Sequence, residues 1–204
     1  DVAGMSDMFD YQATKASREW KGQLEYALLR ASIASGSSGV ARQMAGIEAT
    51  VTSHYTARSS GTSLSESEIN AMAYEVANDV GKEDVFDMLV LPLQLRQKVS
   101  TFTAGSTKYV DAIDKRLTRP VAVYESDFNV MRIFAHKDVQ NSAGTCTVLG
   151  LKEDKWKIAY LEKPKRIDLA KTGDADKGMI IGRMTLEYLA ERSNAKRTGY
   201  AQAG

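Results

Sequence analysis

The sequence predicts an α+β fold that opens on one long helix and closes on strands. Three observations carry this. Residues 5–35 hold an apolar stripe on a 3.6-residue period. The middle of the chain mixes short helix and strand patterns, and the C-terminal stretch alternates apolar and polar residues with a period of two. No strand–helix–strand rhythm and no internal repeat occurs, which excludes a parallel α/β sheet and a solenoid.

The opening helix is predicted over residues 5–35. Phe9, Ala13, Ala16, Trp20, Leu24, Ala27, Leu28 and Ala31 recur at steps of three and four. Lys15, Arg18, Glu19, Lys21, Glu25 and Arg30 take the opposite face, and Asp7 sits in the first turn, where the helix dipole favours an anion. Gly22 costs about 1 kcal/mol against alanine. Ser35-Gly36-Ser37-Ser38-Gly39 is the predicted stop. A helix of about 28 residues runs roughly 42 Å. So long an element in so small a protein serves as a strut or an interface.

Residues 40–45 read as a short helical turn, residues 47–52 as a β-branched alternating strand, and residues 57–63 as a Ser/Gly loop. Ser65 and Glu68 have the spacing of a capping box, with Leu64 and Ile69 placed as a hydrophobic staple. The helix that follows buries Ile69, Met72, Ala73, Val76 and Val80 and ends at Gly81. Residues 88–91 form a short buried strand, and Pro92 opens a helix over 93–102. Residues 103–118 are irregular by pattern. Strands follow at 121–124, 130–135, 145–149 and 156–161, with 125–129 joining the first two. Residues 163–178 read as a polar connection. Residues 179–189 alternate cleanly, with Ile180, Met184, Leu186 and Tyr188 on one face and Ile181, Arg183, Thr185 and Glu187 on the other. A turn near Ser193-Asn194 leads into a last strand over 196–200, so the chain is expected to end as a β-ribbon.

The apolar fraction of 43% supports a packed core. Lysine and arginine number 27 against 26 acidic residues, which excludes a dedicated basic nucleic-acid binder and leaves only loose, nonspecific contact with DNA. The single Cys146 can form no intramolecular disulfide, fits a reducing compartment, and reads as a small buried hydrophobe. The two histidines, His54 and His136, have no spacing that suggests pairing with it. No run of eighteen apolar residues exists, so no membrane span is expected. No secretory signal is visible. The chain opens at Asp1 in mid-pattern, which implies that an N-terminal segment was cleaved or is missing.

Motifs for chemistry are weak. The Gly36–Gly39 loop follows a helix and lacks the Gly-Lys-Ser/Thr ending of a phosphate cradle. Residues 174–178 begin like a calcium loop, but glycine stands fifth and Thr185 twelfth, so a turn explains them better. Lys163-Pro164-Lys165-Arg166 reads as a solvated basic loop, with an acidic neighbour or phosphates as the alternative contact. The sequence thus offers no catalytic, cofactor-binding or metal residue. The candidate assembly residues are Trp20 on the apolar stripe, Arg18, Lys21 and Glu25 on the helix's charged side, and Arg183 and Glu187 on one face of the closing strand.

Four stretches resemble one family in order and spacing. Residues 39–47, Gly-Val-Ala-Arg-Gln-Met-Ala-Gly-Ile, are similar to the "R-x-M-x-G-[ILV]" segment that follows the spine helix in a branch of phage major head proteins. Tyr124-Glu125-Ser126-Asp127-Phe128-Asn129 resembles that branch's "Y-x-S-D-F-G" turn. Leu169-Ala170-Lys171-Thr172-Gly173-Asp174, with Met184-Thr185-Leu186-Glu187, resembles its "LAKxGD…E-x-TLE" ending, and residues 11–16 fit the start of its long helix. Asn129 stands where the family often has glycine, though asparagine tolerates the same left-handed backbone. Arg183 stands where the family commonly has glutamate. The family's N-terminal arm and extended hairpin loop have little counterpart in these residues.

The resemblance implies a tailed-bacteriophage major capsid protein with the Hong Kong 97-type fold. It implies a peripheral domain over 1–62 carrying the spine helix 5–35, an axial domain over 63–161, and a return to the peripheral domain over 162–204. It further implies a non-enzymatic homo-oligomer, arranged as pentamers and hexamers in an icosahedral shell around double-stranded DNA, with a portal and decoration proteins as partners. Its place would be the virion capsid, assembled in the bacterial host cytoplasm. An encapsulin-like nanocompartment shell is the nearest alternative, and a stand-alone binding domain or enzyme the remote one.

Overall fold

The computed structural model describes residues 8–102, 123–139, 144–170, 173 and 177–202. The Asp7 dipole contact, the irregular stretch 103–118, the start of the 121–124 strand and the 174–176 turn lie outside them.

A six-stranded mixed sheet forms the body, in the order β1-β8-β5-β2-β4-β3. Its strands are β1 (Tyr55–Thr62), β2 (Met88–Leu91), β3 (Val123–Glu125), β4 (Val130–Ala135), β5 (Thr145–Leu151) and β8 (Ala195–Ala201). β5 is buried along almost its whole length because both of its faces are covered. On one face Cys146 and Val148 join Leu89, Leu91, Met131 and Ile133 under helices α3 (Glu66–Val80) and α4 (Leu93–Ser100). On the other face Leu149 and Leu151 meet Val90 and Val139, with Leu29, Ile47, Met88 and Trp156 packed against them. The period-two pleat thus divides one strand's side chains between two clusters. Cys146 is fully buried, as its apolar neighbours predict.

The second unit is a two-stranded antiparallel ribbon of β6 (Trp156–Asp168) and β7 (Gly178–Tyr188), with helix α1 (Met8–Arg30) against it. A two-stranded ribbon alone is marginal in water, and the helix supplies the missing cover. The expected closing ribbon is corrected here: β7 pairs with β6, while β8 leaves for the body sheet between β1 and β5. The body sheet therefore draws strands from all three of the segments 1–62, 63–161 and 162–204, and β6 runs across residues 161 and 162.

Several local expectations are also corrected. The first helix ends at Arg30, not Ser35, because the Ser/Gly tract turns back on itself. Ser37 and Val40 exchange backbone hydrogen bonds around Gly39, whose φ of 87° suits the turn, and Gly46 donates to Ala31 at 2.7 Å. Residues 40–45 form the returning limb of that hairpin and no helix. Residues 47–50 form a helical turn, α2 (Ile47–Thr50), where a strand was expected. Gly46 O accepts from Ala49, Thr50 and the Thr50 hydroxyl, and these local bonds outweigh β-branching. The supposed loop 57–63 lies largely in β1, an edge strand too polar to show an apolar alternation. α4 begins at Leu93 behind its N-cap Pro92, as the sequence predicts, but ends at Ser100, two residues short of the expected 102. The basic run 163–166 lies inside β6.

Ser65 is the N-cap of α3 but makes no side-chain capping bond, so the capping box is not formed. Leu64 and Ile69 are both buried as a staple requires. No described non-glycine residue has positive φ, so Asn129 does not mimic glycine by backbone. It instead donates to Phe86 O through its amide, while its oxygen accepts from the Ser126 hydroxyl at 2.7 Å.

Candidate assembly surface

α1 and the ribbon meet through glycines. A Cβ on Gly178 would lie 3.0 Å from the Phe9 ring, and one on Gly182 would lie 3.1 Å from Trp20. Phe9 and Trp20 are eleven residues apart, so one helix face places both rings over glycines four residues apart on β7. Arg166 of β6 secures the distal end. Its guanidinium lies 4.4 Å from the Phe9 ring centre and bonds Asp10 at 2.7 Å and Asp168 at 2.9 Å. Those carboxylates raise its pKa above the ordinary arginine value. At the other end Gly46 packs so tightly against Ala27 O and Ala31 N that a Cβ would come within 2.9 Å of each. The helix's apolar stripe is only half-buried, and no residue of α1 is fully buried.

The charged candidates fall on this helix–ribbon unit but not at one point. Arg18 and Lys21 are exposed, and neither has an ion-pair partner among the described residues. Glu25 lies 3.9 Å from His136. Arg183 approaches Glu162 at 3.8 Å, and Glu162 bonds Lys165 at 2.7 Å. Lys165, first, holds the Glu162 carboxyl below its usual range. Glu187 is exposed opposite Lys157 in the ribbon register. Trp20 lines a cavity of about 360 Å³ between α1 and β7, and Arg18 lines a second hollow beside Lys137 and Asp138.

The sequence reading missed a buried ionic cluster in the body. Arg197 of β8 is 1% exposed, and bonds Glu68 at 2.7 Å and Glu75 at 2.8 Å on α3. Arg58 of β1 adds a second cation at 2.8 Å from Glu68, and the Tyr200 hydroxyl donates to the same carboxylate at 3.0 Å. Burial works to raise the Glu68 pKa, but Tyr200, Arg197 and Arg58 outweigh it and pull the group below the ordinary carboxylate value. Nothing in the local pattern of Ala195-Lys196-Arg197-Thr198-Gly199-Tyr200-Ala201 marks Arg197 as the buried member. A second set spans the junction of helix and body. Glu48 lies 3.4 Å from Arg30, and burial raises its pKa despite Arg30 and Lys196. Glu191 accepts from the backbone of Thr52 and Ser53 at 2.5 and 2.7 Å, pinning the α2–β1 turn.

Among the described residues no cluster of three or more His, Cys, Asp or Glu could hold a metal. No described helix is long and apolar enough to cross a membrane. What the surface offers is a half-covered helix, an exposed ribbon and paired charges, which suits contact between proteins.

Comparison with known proteins decides the family. The model of the SU10 major capsid protein family matches residues 1–201. The chain belongs to the SU10 major capsid protein family. It is accordingly a structural protein of a capsid shell, homo-oligomeric and placed in the virion capsid. Solved structures agree at the level of fold. The holo-SrpI encapsulin complex from Synechococcus elongatus PCC 7942 superimposes with a TM-score of 0.63 at 9% identity, over 100% of this chain and 69% of that one. The capsid of an empty GTA particle gives 0.62 at 9% identity, over 98% and 69%. The expected Hong Kong 97-type α+β capsid fold is borne out. The family favours a virion shell over a nanocompartment. No curated protein matches the chain.

Proposed function

We propose that this capsid protein is the tile of an icosahedral phage head. Pentamers and hexamers of the chain enclose double-stranded DNA, a portal occupies one site, and decoration proteins bind outside. Assembly takes place in the bacterial host cytoplasm, and the chain performs no catalysis. The observation that carries this reading is α1: 23 residues of helix, none fully buried, laid on a ribbon whose Leu161 and Tyr188 are exposed at 83% and 53%, with Leu189 just beyond it at 56%. Apolar surface of this kind marks contact between proteins.

The domain division that best fits the sheet order places the described residues 51–102, 123–139, 144–151 and 193–202 in the axial domain. Helix, hairpin and ribbon, residues 8–50, 152–170 and 177–192, form the peripheral domain. The cluster Leu149–Leu151–Leu29–Trp156 joins the two. DNA contact is loose, since Lys165 and Arg166 of the basic run already pair with Glu162, Asp10 and Asp168.

Electron microscopy of the purified full-length protein tests the proposal. Closed shells of uniform size are the expected result. Folded protein that stays monomeric under all assembly conditions refutes it. Shells purified from infected cells without DNA would return the nanocompartment reading.

A further inference from the structure

Leu161 is 83% exposed, more than any other large apolar side chain among the described residues. It sits where the register of β6 against β7 shifts between Tyr160 and Glu162. Such a bulge re-aims a side chain and is kept for a purpose. The chain also carries a matching hollow. Phe9, Ala13, Ala16, Trp20, Met179 and Ile180 line the cavity of about 360 Å³ between α1 and β7. Its rim carries Glu19, exposed and without an ion-pair partner among the described residues, and Lys163, two residues beyond Leu161, is equally exposed and unpaired. Knob and hollow thus bring opposite free charges.

We propose that Leu161 of one copy of the chain enters the Trp20 hollow of the next copy, with Lys163 pairing to Glu19 at its rim. The contact deepens the shell-subunit reading and rests on it. Knob and hollow are different patches, so the contact is heterologous and runs head to tail, closing into a ring where the rotation permits. Leucine supplies shape and apolar area. The flanking ion pair sets direction and register more than strength.

The test uses the full-length protein carrying Ala16→Cys and Leu161→Cys together. Cys146 is buried and does not compete. Oxidation of assembled particles should give a reducible ladder of linked multimers in a denaturing gel, which neither single variant gives. Glu19→Lys should abolish particles, and adding Lys163→Glu should restore them. Leu161→Asp, at a position with almost no contacts, should leave a folded subunit by circular dichroism and lose assembly. The proposal is overturned by particles without a ladder, by failure of the charge swap to rescue, or by particles from Leu161→Asp, which would mean that something else fills the hollow. Absence of particles from the unaltered protein would instead strike the shell-subunit reading.

Discussion

Glu68→Gln tests whether the buried ionic cluster holds the body together. The substitution keeps the shape of the side chain and an oxygen for Tyr200, but removes the charge that faces Arg197 and Arg58. Arg197 is 1% exposed and cannot recover water. Taking one partner from a buried pair costs about 3–5 kcal/mol. Glu75 at 2.8 Å and the Glu68 carbonyl at 3.0 Å still hold the guanidinium, so the loss belongs at the lower end, about 3 kcal/mol. For a chain of this size each kcal/mol is worth about 2–4 °C, so the midpoint should fall by about 6–12 °C. The pH dependence has a definite sign. Glu68 has a lowered folded-state pKa. Its contribution is complete above the unfolded-state value, near 4.3, and is lost as pH falls through the folded-state value. Denaturant titration of unassembled subunits should therefore show a wide gap between wild type and variant at neutral pH that narrows in acid. A gap below about 1 kcal/mol at neutral pH, within the range of an exposed pair, would refute the reasoning. So would a gap of the same size in acid.

Glu48 should behave in the opposite sense. Burial raises its pKa, so its favourable share is present at low pH and is lost as pH rises through the folded-state value. Glu48→Gln should match or exceed wild-type stability at neutral pH, and the advantage should vanish in acid on the same titration. Gly46→Ala pushes a Cβ into helix backbone at 2.7–2.9 Å and should cost about 3 kcal/mol as overpacking. Gly22→Ala meets nothing within 4 Å among the described residues and should gain about 1 kcal/mol, both read by thermal melts. Trp20→Asp should detach α1 from Gly182 and abolish particles while the body core stays folded, as read by microscopy and near-ultraviolet dichroism. Burial raises the Cys146 thiol pKa, so a thiol reagent should label native protein only on the timescale of unfolding, and Cys146→Ala should leave assembly intact.

Element type was legible wherever one residue's neighbours decide its environment. The staple Leu64/Ile69, the apolar face through Val76, the stop at Gly81 and the strand 88–91 all come from local pattern, and each lies where it was expected. The family resemblance was legible for a related reason, since short segments in a fixed order report a shared chain path. Trp20 was legible as a contact residue because helical spacing puts it on the face of Phe9 and Ala13.

Tertiary structure decided the rest. Residues 47–50 have strand-like composition, yet Gly46 against α1 leaves room only for a tight helical turn. β1 has no apolar alternation because it is an edge strand held by β8 and by the Arg58–Glu68 pair, partners far away in sequence. Glu68 looked like a capping residue from its spacing, but the same carboxylate faces Arg197, 129 residues on, and a buried guanidinium outcompetes a helix-end amide. The swap of β8 from ribbon to body follows the same logic, for strand pairing is set by which edges meet in space. Local pattern settled the opening helix, the 66–80 helix and the buried strands 88–91, 130–135 and 145–151. Only the folded chain decided which edges pair and which charges are buried together, because those energies arise between residues that no local window contains.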